Sequence, residues 1–198
     1  MSETENTKAG FAAVIGAPNA GKSTLVNRLV GSKVSIVTKK VQTTRFPVRG
    51  VAMAGDAQII LVDTPGIFKP RRRLDRAMVR SAWGGAEDAD VVVHLVDAAA
   101  EILTQDGEGR AADRRSAEDV QSIIEGLKGA GKKAILALNK IDLIKRDRLL
   151  ALSQKLFETG VYSDVFMISA QNGAGVDDLA SVEGISRELA EEIYRALH

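Results

Sequence analysis

Residues 16–23 read Gly16-Ala17-Pro18-Asn19-Ala20-Gly21-Lys22-Ser23, an instance of G-x-x-x-x-G-K-[ST]. The apolar run Phe11–Ile15 precedes it. Gly21–Val30 follows, with Leu25, Val26, Leu29 and Val30 at helical spacing. A Gly-rich turn from a strand into a helix lets backbone N–H groups face phosphate oxygens, and the helix N-terminus adds partial positive charge. In such a loop Lys22 reaches the β- and γ-phosphates, and the Ser23 hydroxyl binds Mg²⁺. A strand before the motif and an amphipathic helix after it argue against a chance Gly-rich turn.

Working outward, the chain keeps alternating apolar runs with helical patterns. Val48–Met53 and Gln58–Asp63 read as strands joined through a turn at Gly55–Asp56, so short that the two must pair antiparallel. Arg73–Trp83 reads as a helix with Leu74, Ala77 and Met78 inward. Val91–Val96 is apolar on both faces, as a central parallel strand is. Asp113–Lys128 and Asp147–Thr159 read as helices, Ala134–Leu138 and Val165–Ile168 as strands. Ala98–Arg115, polar and Gly-containing, reads as a surface loop. The pattern predicts an α/β fold: a P-loop G domain with a mixed, mostly parallel six-stranded sheet and helices on both faces. Residues 1–8 form a polar tail, 9–180 the nucleotide-binding domain and 181–198 a C-terminal helical segment.

Composition narrows the function classes. The 198 residues are 45% apolar and 27% charged, the balance of a globular protein. With 27 Lys+Arg against 26 Asp+Glu the net charge is +1, so no global charge points to nucleic acid or membrane. There is no Cys, which excludes disulfides and thiol catalysis, and the two His are too few for a His-built metal centre. No apolar run is long enough to span a membrane, and the polar N-terminus is unlike a secretory signal, so the expected location is cytoplasmic.

Three further motifs follow in order. Asp63-Thr64-Pro65-Gly66 closes the run Ile59–Val62; a carboxylate at a buried strand end needs a partner, which a Mg²⁺ held through water supplies. By itself such an Asp equally caps the next turn. Gly66 leaves its N–H free to approach a γ-phosphate. Asn139-Lys140-Ile141-Asp142 follows the strand Ala134–Leu138. The Asp142 carboxylate can accept from the ring N–H and exocyclic amine of guanine, an edge adenine lacks; alone it reads as a helix cap. Ser169-Ala170 follows Val165–Ile168, and its backbone N–H can touch guanine O6. His94, inside Val91–Val96, reads as a hydrogen-bonded core histidine, Asp97 as a turn cap, and Trp83 as packing at a helix end.

Together these motifs resemble the guanine-nucleotide domain of translation-factor-related GTPases. The segment Val34–Gly50, with Lys39-Lys40-Val41-Gln42-Thr43-Thr44-Arg45, resembles the first switch of the Era-like members. The resemblance covers residues 9–180, with 98–115 longer than usual. It implies that GTP or GDP lies against Ala17, Pro18, Asn19, Ala20, Gly21, Lys22, Ser23, Thr24, Asp63, Gly66, Asn139, Lys140, Asp142, Ser169 and Ala170. Ser23, Thr44 and Asp63 would hold Mg²⁺, with Thr43 the alternative to Thr44. Lys22, Thr44 and Gly66 would serve catalysis, and Asn19 matches the asparagine that binds K⁺ in cation-activated relatives. Ile67 stands where Ras-like enzymes carry the water-orienting Gln, which predicts slow intrinsic hydrolysis.

The resemblance further implies a switch acting in small-subunit assembly on the ribosome and its rRNA. Peripheral membrane association is an associated expectation, and no covalent cofactor is expected. The alternatives are a tRNA-modification-type or other ribosome-associated GTPase, and a nucleotide-dependent binding module with negligible turnover. Lys33, Lys39, Lys40, Arg45 and Arg49, then Lys69, Arg71, Arg72, Arg73, Arg76 and Arg80, suit an RNA-facing surface. Era-like chains continue into a KH domain with a GxxG loop, and residues 181–198 offer none. Residues 177–198, with six acidic and two basic residues, read instead as a closing helix interrupted near Gly184. They also resemble half of a helix-hairpin-helix, with Gly184-Ile185-Ser186 as its turn and Ser186 replacing the second glycine.

Overall fold

A computed structural model describes residues 8–35, 37, 47–54, 57–69 and 73–180. The elements run β1 (Lys8–Ile15), α1 (Lys22–Val30), β2 (Val48–Ala54), β3 (Ala57–Asp63), α2 (Arg73–Glu87), β4 (Val91–Asp97), α3 (Ala98–Gln105), α4 (Ala111–Ala130), β5 (Ala134–Asn139), α5 (Arg146–Phe157), β6 (Tyr162–Met167) and α6 (Val176–Ala180). A 3-10 turn at Ile141–Leu143 sits between β5 and α5. Among the described residues six strands form one sheet in the order β2-β3-β1-β4-β5-β6, with only the β2–β3 pair antiparallel.

Strand alternation splits the core in two. On β4, Val92 and Val96 face a cluster with Ala82, Val120, Ile123, Leu127 and Leu152 from α2, α4 and α5. Val93 and Leu95 face the opposite cluster with Leu25, Val26, Val176 and Leu179 from α1 and α6. A strand buried on both faces reads as a continuous apolar run, which is why Val91–Val96 carries no alternation. Within that run His94 is fully buried and its Nδ1 lies 2.8 Å from the Tyr162 hydroxyl. Burial, with the Lys22 charge adding, lowers its pKa to about 3, so it stays neutral.

Several expectations need correction. Residues 98–115 are not a loop. Asp97 caps α3 by accepting from Ala100 N at 3.1 Å, and Ala98, Ala100 and Ile102 are buried against the sheet. Only Asp106–Arg110 remains as a connection before α4, so a short helix had been hidden by its polar flank. On α2, Ala77 is exposed, and the inward stripe is Met78, Ala82 and Ala86 at i, i+4, i+8. β6 begins at Tyr162 rather than Val165 and ends before Ile168. Trp83 packs on the first cluster and lies over Gly126, where a Cβ would come within 2.5 Å of its ring. The readings of residues 1–7, 181–198, Thr43, Thr44, Lys39, Lys40, Arg45, Arg71 and Arg72 lie outside the described residues.

Candidate functional site

All five parallel strands end on one edge of the sheet. β1 lies between β3 and β4, so its two sides are reached by connections leaving in opposite directions. That reversal opens a crevice at the carboxyl ends of the strands, where open α/β sheets take ligands. Gly16–Ser23 fills the crevice between β1 and α1.

Two glycines make this loop possible. A Cβ on Gly16 would stand 2.3 Å from the Leu95 carbonyl oxygen, so the loop runs directly against β4. Gly21, at φ +103, lies so close to Asn139 that a Cβ would meet Nδ2 at 2.4 Å. Ala17 and Ala20 are buried, Pro18 and Thr24 half-buried and Asn19 exposed. Asn19 and Lys140 are the positive-φ non-glycine residues among those described, at 63° and 66°, and both lie in this crevice. Backbone held in that region is a cost that functional sites commonly carry.

Lys22 is buried and folds back on its own loop, donating from Nζ to Gly16 O at 3.1 Å and Ala17 O at 2.8 Å. Burial lowers its pKa to about 8, against the opposing pull of Asp63 and Asp119. Ser23 Oγ donates to Asp63 Oδ2 at 2.7 Å, both groups being buried. The first residue pair of α1 and the last of β3 thus bring together the hydroxyl and carboxylate that a hard cation takes. These oxygens fit Mg²⁺; Thr44, the third candidate, is not among the described residues. Thr64 fixes the same junction by donating from Oγ1 to Val14 O at 2.8 Å. Ile67 donates its N–H to Gly16 O at 3.0 Å and buries its side chain in the core, which draws Gly66 over the phosphate loop.

Asn139 joins the two halves of the crevice. Its side chain is 3% exposed, donates from Nδ2 to Ala20 O at 2.7 Å and accepts at Oδ1 from Ala170 N at 2.9 Å. The Ala170 amide expected to meet guanine O6 is therefore already engaged. Lys140 pairs with the Asp97 carboxylate. Asp142 stands exposed in the 3-10 turn, and Ser169 and Ala170 are buried in the turn after β6.

Some of the anchoring residues escape a motif reading. Asn27, in the last turn of α1, accepts at Oδ1 from Val34 N and Ser35 N at 2.9 and 2.7 Å and donates to Ser35 O at 2.8 Å. It pins the start of the segment that leads into the lysine-rich stretch. Arg28 beside it reaches the turn after β6. A polar pair between Val26 and Leu29 was the only signal. Asp119, on α4, accepts from Lys69 N at 3.2 Å and carries a pKa raised to about 6 by burial. With Pro18, Asn19 and Phe68 it lines a groove of about 310 Å³ beside the phosphate loop.

A family model described as 50S ribosome-binding GTPase matches residues 11–140. The GTPase Era of Caulobacter vibrioides is 70% identical over 178 residues, 90% of this chain and 56% of its own. That of Maricaulis maris is 62% identical over 179 residues, 90% of this chain and 57% of its own. The chain therefore spans little more than half the length of these relatives. Among solved structures, Era in complex with MgGDPNP and nucleotides 1506–1542 of 16S ribosomal RNA superposes with a TM-score of 0.74 at 37% identity, over 90% of this chain and 56% of that one. A variant of Aquifex aeolicus Era bound to GDP·AlF4⁻ gives 0.73 at 37% identity, over 89% and 56%.

Proposed function

We propose, since the chain belongs to the family of GTPases described as 50S ribosome-binding, that it is a GTP-binding, GTP-hydrolysing switch domain of the Era type. The observation that carries this reading is Asn139, whose one buried amide ties the phosphate loop to the turn beside the base-reading Asp142.

Phosphoryl transfer asks for alignment and charge neutralisation more than for a base. Lys22 exchanges its loop carbonyls for phosphate oxygens, and the anions restore the charge that burial disfavours. The α1 N-terminus and loop amides hold the remaining phosphate oxygens. Ser23 and Asp63 would hold Mg²⁺, with Thr44 as the switch ligand, and the metal would supply charge neutralisation for the phosphates. Gly66 presents its amide on the γ side. Asp142 reads the guanine edge. Ile67, locked in the core, offers no group to orient water, so turnover is slow unless a cation at Asn19 or a partner completes the site.

The working context we propose is the cytoplasm, with the small ribosomal subunit and its rRNA as partner. The relative caught with 16S rRNA supports this, as does the exposed basic set Lys33, Arg49, Lys69, Arg76 and Arg80, which lies around the segment resembling the first switch and after Gly66 in sequence. Hydrolysis would release the contacts at Gly66 and Thr44 and change that surface.

The test is nucleotide affinity for GTP, GDP, ATP and XTP, with and without Asp142→Asn. The native chain should discriminate against ATP by orders of magnitude, and the variant should lose GTP and gain XTP. Unchanged GTP affinity in the variant breaks the base-reading argument.

A further inference from the structure

Arg28 sits one helix away from the phosphate loop, in the last turn of α1. It donates from Nε to Ala170 O at 2.7 Å and from Nη2 to Gln171 O. These successive carbonyls belong to the turn after β6, which is closed by Ser169 N to Ala174 O and Gly173 N to Ser169 O, both 2.8 Å. Gly173 lies against the guanidinium, where a Cβ would stand 2.9 Å from Nη1. The planar fork of an arginine meets two neighbouring acceptors in a way a lysine cannot.

The consequence lies in the peptide planes. The Ala170 N–H is bonded to Asn139 Oδ1. The next amide, Gln171 N–H, shares a plane with Ala170 C=O, and every peptide bond described is trans. In a trans peptide the C=O and N–H point in opposite directions. By drawing the Ala170 carbonyl toward α1, Arg28 turns the Gln171 N–H away from it. Asn139 holds the preceding peptide plane at Ala170 N–H, and Arg28 holds this one at its carbonyl.

We propose that Arg28 is a positioning residue for base selection: its latch on Ala170 and Gln171 aims the Gln171 N–H as the donor to the C6 carbonyl of guanine. This rests on the reading of the site as a guanine-nucleotide site. It also shifts the O6 donor one residue on from Ala170. Because α1 starts at the phosphate loop and ends at this latch, the helix sets the spacing between the triphosphate and base ends of the ligand.

The experiment measures affinity for two probes, GDP and the 5′-diphosphate of 2-aminopurine riboside, which keeps the exocyclic amine but lacks O6 and the ring N1–H, so each variant is read as its change on each probe relative to the native chain. Arg28→Met keeps the side-chain stem without its donors and should weaken GDP about tenfold, while the 2-aminopurine probe changes less than about twofold. Arg28→Lys should recover part of the GDP loss. Gln171→Pro deletes the N–H itself without touching Arg28, and should reproduce the same selective loss, so the proposal does not depend on one variant folding. Equal weakening of both probes by Arg28→Met would mean that Arg28 only supports the fold, and undiminished GDP binding would mean that the turn holds itself; either overturns the proposal. A native chain that binds the two probes equally would instead remove the guanine reading, and the latch with it.

Discussion

Replacing Asn139 probes the junction on which the site depends. Its side chain is buried, and so are the groups it serves: Ala20 is 0% and Ala170 1% exposed. Asn139→Ala deletes both hydrogen bonds and leaves the Ala20 carbonyl and the Ala170 amide unsatisfied away from water. Each abandoned group costs about 1–3 kcal/mol, so the variant should lose about 2–6 kcal/mol of stability. The upper part of that range is a large share of a domain's whole stability. GDP binding should fall as well, because both loops lose their common tie. Asn139→Asp separates the two bonds. It keeps an acceptor for Ala170 N but sets a carboxylate oxygen against Ala20 O. That contact raises the new carboxyl's pKa above its unfolded value. The penalty is then fully present above the raised pKa and relieved as pH falls through it, because a protonated carboxyl can donate to Ala20 O. Urea unfolding at several pH values, alongside GDP titration, reads both effects. The reasoning fails if Asn139→Ala unfolds within about 0.5 kcal/mol of the native chain with GDP affinity intact. It fails equally if the difference between Asn139→Asp and the native chain is independent of pH.

Two other outcomes are expected. Glu101 is buried with an unsatisfied Oε1, and its pKa is raised from 4.5 to about 6, chiefly by burial with Asp97 adding and Lys155 opposing. The 1.5-unit rise makes the ionised form cost about 2 kcal/mol. That cost is absent below about pH 4.5 and complete above about pH 6, so Glu101→Gln should raise the denaturation midpoint at pH 7.5 and give no gain at pH 4.5. A gain of equal size at both pH values would contradict the assignment. Single-turnover GTP hydrolysis should run severalfold faster in K⁺ than in Na⁺, and Asn19→Ala should erase the difference; equal native rates in the two salts remove the cation from the account.

Local chemistry made much of this molecule readable, and long-range contact hid the rest. Gly16, Gly21, Lys22 and Ser23 announce a phosphate loop because a short stretch must hold all its parts, and flanking apolar periodicity supplies the strand and helix. The hairpin of β2 and β3 was legible for the same reason: so short a turn permits one pairing. Asp63 was legible only as a candidate, since a strand-end carboxylate has two common uses. The Ser23 contact at 2.7 Å brings it beside the hydroxyl that the metal reading needs. The helix at Ala98–Gln105 went unread because the charged, Gly-containing flank dominated the window, whereas burial of Ala98, Ala100 and Ile102 decides the outcome. Ala77 failed through a shift in phase: three apolar residues near a helix start fit several faces until Met78, Ala82 and Ala86 fix one.

The contacts that no motif could disclose are those whose partners are remote in sequence. Asn139 meets Ala20 across 119 positions, and Arg28 meets Ala170 across 142. A hydrogen bond of that span leaves no periodicity or spacing behind: Arg28 stands in no motif, and the motif that holds Asn139 does not name its partners. These two side chains tie the phosphate loop and α1 to the turn after β6, and so help to set the spacing between them. A ligand is discriminated by both ends at once, and an error of about 1 Å in their spacing can cost catalysis a hundredfold. Motifs therefore specify which groups meet the nucleotide, while the ties from α1 and β5 specify where those groups stand. Selectivity for guanine should then respond to substitution at Arg28 and Asn139 even though neither is Asp142, the carboxylate proposed to read the base.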